Sequence, residues 1–321
     1  MARRTDSKIQ PAEMTLQLLT PSVPVGTVGS FTADLSQIAS IVNRRFYRQG
    51  INWAVAGIKI LTANTGTVAV TKLPNTWVTS NAWEKAFRAW NKQQMDAIED
   101  AGAESAVARF RDFKIHADVT HVTAGFGSNL LPYDGAFPPQ PFNTGEWEDS
   151  LIVVPNTLPD ATGSNIEPIE YKLHMVGVNN NGGLSRGIIE GYADSRAYPQ
   201  SPDPVSPVIA SGDNWLRAMF DVGADTSEIT DNATDRNDNL PYPQVEYPGG
   251  EVQAPTLQTH DFSFITTSTI GGTTRLKGGN FPCGLMRFDW VPSTTESNIR
   301  IQIDLVPGSH RGYLCEPMTE M

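Results

Sequence analysis

Ile299, Ile301, Ile303 and Leu305 alternate strictly with Arg300, Gln302 and Asp304. Only an extended strand places such a run's apolar side chains on one face and its polar ones on the other. A strand of this kind must bury one face and pair along its edges, so it commits the chain to a sheet. Related segments recur at 13–20 (EMTLQLLT), 27–35 (TVGSFTADL), 53–61 (WAVAGIKIL), 67–73 (TVAVTKL), 151–154, 169–175, 188–192, 262–266 and 285–291. At 113–119, Phe113, Ile115, Ala117 and Val119 alternate with Lys114, His116 and Asp118, which makes this a half-buried strand with its polar residues facing solvent. Together these amount to roughly nine to eleven strands. The helices a parallel βαβ sheet would need between them are missing. The expected class is mainly β, an antiparallel β-sandwich with helical and long-loop insertions and no internal repeat.

Between the strands, Asn64-Thr65-Gly66 reads as a turn that makes 53–61 and 67–73 a hairpin. Asp34 caps a short helix through Leu35, Ile38 and Ile41 or Val42, which runs into Arg44-Arg45-Phe46-Tyr47-Arg48 and stops at Gly50. The clearest helix is capped by Thr79, Ser80 or Asn81. It sets Trp83, Phe87, Trp90 and Ile98 on one stripe, which reads as a core face, and Gly102 ends it. A further helical turn is expected over 104–110 and another over 215–220. Residues 194–251 are otherwise rich in Pro, Asp and Asn, a surface projection or inter-subunit loop.

The length of 321 residues suits one large sandwich or two smaller domains. The net charge is −11, so any contact with nucleic acid must be local, through a patch or an arm. The opening MARRTDSKIQPAEM is polar where a signal peptide is apolar, and no apolar run approaches the ~20 residues of a membrane span. The expectation is a soluble chain made in the cytosol, without a transmembrane segment. Cys283 and Cys315 read as two reduced, buried thiols, with a single bridge between them as the alternative.

No P-loop, GxGxxG, GxSxG or HExxH is present, and the expectation is a protein that is not an enzyme. His116, Asp118 and His121 offer a metal set, against the simpler reading of solvent-facing strand positions. The acidic stretch 225–238 can supply oxygen ligands for calcium at a subunit contact, although it lacks the glycine and distal glutamate of an EF-hand. No other cofactor is expected. Asn232-Ala-Thr234 is a glycosylation sequon without a leader to deliver it. Glu146, Glu148 and Asp149 cluster as hydrolase carboxylates would, and as surface acids do.

The one basic segment with interleaved aromatics is 43–49. Arg44, Arg45 and Arg48 can neutralise phosphate, and Tyr47 can stack on an exposed base. The alternative is a helix end whose arginines complement the macrodipole while the rings join the core. Arg3, Arg4 and Lys8 form a second, sparser cationic group on a flexible arm spanning residues 1–12.

The arm, the alternating strands and the long insertions together resemble the jelly-roll capsid proteins of small icosahedral viruses, of the single-stranded DNA type. In those a short arm precedes an eight-stranded antiparallel sandwich. The resemblance implies an arm at 1–12, a jelly roll over 13–321, and insertions at about 74–111 and 194–256. It implies self-assembly into an icosahedral shell around a viral genome, location in the virion, and subunit contacts through loops 131–147 and 196–207. This arm is not Arg-rich, unlike that of many such proteins, which leaves a double jelly roll as the alternative fold. A lectin-like or adhesive carbohydrate-binding sandwich is the alternative function, its Trp and Tyr serving as sugar platforms.

Overall fold

The computed structural model describes residues 11–102, 112–136, 138–154, 168–180, 182–197, 227, 229–232, 256–269 and 272–321. The chain opens with β1 (Thr15–Leu19), β2 (Gly29–Asp34), α1 (Leu35–Asn43), β3 (Ile51–Leu61), β4 (Gly66–Lys72) and α2 (Trp77–Asp100). It continues with α3 (Val119–Ala124), β5 (Leu151–Val154), β6 (Ile169–His174), β7 (Ser185–Gly187) and α4 (Ile188–Ala197). It closes with β8 (Gln258–Ile265), β9 (Thr273–Phe281), β10 (Leu285–Pro292), β11 (Arg300–Leu305), β12 (Pro307–Gly308), β13 (Gly312–Tyr313) and β14 (Cys315–Pro317). The class is mainly β, and its two main sheets are antiparallel.

One sheet holds β1, β11, β3 and β9 side by side, with β14 extending β11's side of β3. The other runs β2-β10-β4-β8. The pairing is nested: β1 with β11, β2 with β10, β3 with β9, and β4 with β8. The inward faces of both sheets meet in one apolar core. Leu16, Leu18, Ile58, Ile60, Ile301 and Ile303 come from one sheet; Val68, Val70, Phe288 and Trp290 come from the other. The 299–305 alternation holds, with Ile299, Ile301, Ile303 and Leu305 all buried. Each such side chain contributes roughly 1.5–3 kcal/mol relative to remaining exposed.

Strands β3 and β4 do not form the hairpin expected from the turn at 64–66. They lie in different sheets, because β3 spends both edges on β11 and β9. Strand β9 (TTRLKGGNF) has no clear sequence signal, since only Leu276 and Phe281 of it are buried. Gly278 is required there: a Cβ at this position would run into the backbone carbonyls of Val55 and Ala56. The outer edges of β8 and β9 are joined by side chains. Lys277 N donates to Asp261 Oδ2 (2.8 Å), Lys277 O hydrogen-bonds His260 Nε2 (3.0 Å), and from β4 Lys72 Nζ donates to Asn280 O of β9 (2.8 Å). Backbone groups taken in this way cannot recruit a further strand.

Everything from residue 73 to residue 257 belongs to the single connection between β4 and β8, and this connection builds a second core. Helix α2 places Trp83 and Trp90 in it, with Phe87 packed alongside, against Phe113, Ile115, Leu173 and Ile189. The expected stripe is therefore a core face. The cap is Thr76, earlier than expected; its Oγ1 accepts from Thr79 N at 3.4 Å. Thr76→Ala is expected to lower stability by about 1 kcal/mol in urea unfolding, and an unchanged midpoint would show the cap to be idle. The run 188–192 belongs to helix α4, not to a strand.

Segment 113–118 is extended and joins β6 through a parallel bridge between His116 and His174. It then turns at Asp118, whose carboxylate accepts from His121 N (2.9 Å) and caps α3. His116, Asp118 and His121 do not face solvent as the alternation suggested; all three are buried. Cys283 and Cys315 are free thiols. The expected helical segments at 104–110 and 215–220 lie outside the described residues, as does most of 194–256. No helix among the described residues is long and apolar enough to cross a membrane.

Candidate nucleic-acid interface

Helix α1 stops at Asn43 because Arg44 takes the left-handed conformation (φ 54°). Arg44 is the cap at the helix end, and the rest of the basic segment runs on beyond the helix. From Arg44 to Gln49 it alternates: Arg44 and Arg48 are exposed and Phe46 is half-buried, whereas Tyr47 and Gln49 are fully buried. Gln49 anchors the inner side. Its amide donates to Asp34 Oδ2 (3.0 Å) and Ile115 O (3.0 Å) and accepts from Ile115 N (2.6 Å).

Tyr47 is a core residue and not a platform for a base, which corrects its expected role. Its ring packs on Trp53 and Tyr313, at 5.8 and 5.5 Å between centroids, and its hydroxyl donates to Arg311 O at 3.1 Å. Burial pushes its hydroxyl pKa above the usual tyrosine value. Arg45 is half-buried, and its Nη1 donates to Pro11 O at 2.9 Å. It thus fastens the first described residue of the chain to the basic segment. Arg3, Arg4 and Lys8 lie outside the described residues, and Pro11 is where the chain enters them.

Sequence reasoning missed Arg311. It is exposed, adopts φ 52°, and its guanidinium donates to Phe46 O. No local pattern marks it, since it sits 265 positions from Phe46. Arg44, Arg48 and Arg311 thus flank one aromatic residue on a chain that is acidic overall. Two clefts open beside Phe46. One, of about 540 Å³, includes Arg44, Lys114, Glu146 and Trp147. Lys114 Nζ lies 4.8 Å from the centre of the Trp147 ring and 3.1 Å from Asp112. Burial raises the Asp112 carboxyl despite that lysine. The other cleft, of about 530 Å³, includes Arg48 and Arg311.

The other candidate groups do not assemble into sites. Both oxygens of Asp118 are taken by the Arg287 guanidinium, with Nη1 to Oδ2 at 2.8 Å. Both ring nitrogens of His121 are also taken, by Ala117 N (3.0 Å) and Asn129 Oδ1 (2.8 Å). Among the described residues no group of three or more His, Cys, Asp or Glu is placed to hold a metal ion. Asp149 is paired with Lys172 at 3.1 Å and lies 3.6 Å from His116, while Glu146 and Glu148 are exposed on either side of buried Trp147. Most of the acidic stretch 225–238 falls outside the described residues, which include only 227 and 229–232 of it.

What this face can do chemically is hold phosphates with guanidinium groups and meet a flat apolar ring at Phe46. The chain matches no protein-family model, no curated protein and no solved structure.

Proposed function

We propose that this chain is the structural subunit of an icosahedral viral shell, a coat protein that assembles with copies of itself around a genome. The observation that supports it most is the nested pairing, first strand with last and so inward, distributed over two facing sheets. In this reading β1–β4 and β8–β11 form one jelly roll of the kind shell proteins use. The long β4–β8 connection supplies the surfaces that meet neighbouring subunits. Many weak, repeated contacts then hold the shell. The carbohydrate-binding alternative gains little support, because Trp53, Trp83, Trp90, Trp147 and Trp290 are all buried and offer no exposed platform.

The basic face around residues 44–48 is the proposed contact with the genome. It reconciles a net charge of −11 with nucleic-acid binding, because Arg44, Arg48 and Arg311 sit together around Phe46. The Arg44→Ala/Arg48→Ala double variant is expected to bind single-stranded DNA more weakly. The slope of log K against log salt should become shallower by about 0.7 per arginine removed. An unchanged slope would place the contact elsewhere. For assembly, sedimentation of the purified chain over a range of salt and pH should reveal species far larger than a monomer.

A further inference from the structure

The cleft between Phe46 and helix α2 has walls that phosphate contacts leave without a role. Phe46, Trp83, Phe87 and Phe113 line it, with Arg48, Arg311 and His310 also around it. Its volume, about 530 Å³, falls within the roughly 300–1000 Å³ of pockets that take small organic ligands. Trp83 and Phe87 lie nearly parallel, 5.1 Å between centroids and 10° between planes, and Phe113 meets Trp83 edge-on at 5.9 Å. Phe46 is held in place from several sides. Its carbonyl is bonded by Arg311, and its neighbour Tyr47 is buried, with its backbone N–H donated to Ser40 Oγ at 2.9 Å. Trp83 and Phe113 are buried and form its floor, so the rings that a ligand meets are the half-buried Phe46 and Phe87, with two exposed guanidinium groups beside them.

Aromatic walls attract a flat ring whatever its hydrogen-bonding edge, and every nucleobase has a π face. Guanidinium groups match phosphate in shape and charge. The buried Asp112 carboxyl also lines the cleft. It disfavours a phosphate deep inside and so leaves the anion to Arg48 and Arg311. An apolar side chain from another copy would use the walls but leave both arginines without a role.

We propose that this cleft takes one unstacked base of a single-stranded nucleic acid, with the adjoining phosphate on Arg48 and Arg311. The proposal rests on the reading of the 44–48 face as a nucleic-acid contact and adds a base to it. The assignment predicts binding that depends on bases as well as on charge, and with little sequence preference.

The test uses the full chain and two labelled strands of equal length: a thymidine dodecamer, and an abasic dodecamer with the same phosphates. The thymidine strand should bind about tenfold more tightly, the size of effect that stacking of one base supplies. Phe46→Ala should remove most of the difference between the two strands. Phe46→Trp should restore the difference. Equal affinity of the two strands for the unaltered protein overturns the base cleft and leaves the phosphate contact standing. Binding of neither strand overturns both. If Phe46→Ala abolishes assembly while thymidine affinity stays unchanged, the cleft belongs to a neighbouring copy and the proposal fails. The comparison between strands needs no variant, so a misfolded Phe46→Ala protein does not decide it.

Discussion

Replacing Arg287 with methionine is expected to destabilise the fold by about 3–5 kcal/mol, the cost of leaving one charge of a buried pair without its partner. Arg287 projects from β10 and grips Asp118 through both guanidinium nitrogens, and both side chains are largely buried. Burial alone would raise the Asp118 carboxyl. The hydrogen bonds and charge of Arg287 outweigh it and hold the group below the usual carboxylate range. The same carboxylate caps α3 through His121 N, so the pair links the sheet core to the β4–β8 connection. Urea unfolding of Arg287→Met measures the loss. Adding Asp118→Asn should recover part of it, because the stranded charge is then removed. A loss below about 1 kcal/mol would mean that the pair behaves as a solvated surface contact.

The second large effect concerns pH. Three of the five histidines are packed together: His116 lies 4.7 Å from His121 between ring centroids, and it bridges to His174. Burial first, then the charge of His116, lowers the pKa of His121 from 6.5 to about 3. Its Nδ1 already accepts from Ala117 N, so a proton there would set two donors against each other. Burial likewise lowers His174 to about 4, against the carbonyl of Val178, which favours the charged form. The other charged groups facing this pair are Asp118, Arg287 and, beside His116, Asp149.

The unfolded chain takes up these two protons near pH 6.5, whereas the folded chain does so only near 4 and 3. Below about 6.5 the unfolded state therefore binds more protons, and stability falls with pH until the folded values are passed. At about 1.36 kcal/mol per pH unit, His121 and His174 each account for a loss of about 3 kcal/mol between pH 6.5 and 4. Asp34 opposes them. Burial raises its carboxyl to about 7, so it adds stability as pH falls from there toward 4. The net expectation is a loss of about 3 kcal/mol between pH 6.5 and 4, reduced in His174→Gln. Urea midpoints that stay level or rise across that window would contradict it.

The alternation at 299–305 was legible because β11 has one buried and one outer face, so its period matches its environment. At 113–118 the same pattern misled, because both sides of that segment are covered: Ile115 packs in the second core, and His116 stacks on Phe126 at 4.2 Å. The short apolar run at 188–192 carries no period long enough to tell strand from helix. Strand β9 was hidden by its Gly278-Gly279 pair, of which Gly278 is needed where the strand crosses the carbonyls of β3. Residues 44–49 support two readings in sequence, a nucleic-acid patch or rings that join the core, and only the fold decides that Tyr47 takes the second. Arg311 reaches the same face only through the fold. The order in which strands pair was equally out of reach, since a local turn at 64–66 says nothing about which sheet each flanking strand joins.

The central claim is that this chain builds shells, and electron microscopy of the purified protein tests it most directly. Negatively stained samples over a range of salt and pH should contain closed particles of uniform diameter with icosahedral symmetry. A protein that remains monomeric under every condition, with no closed particles in the images, would contradict the account.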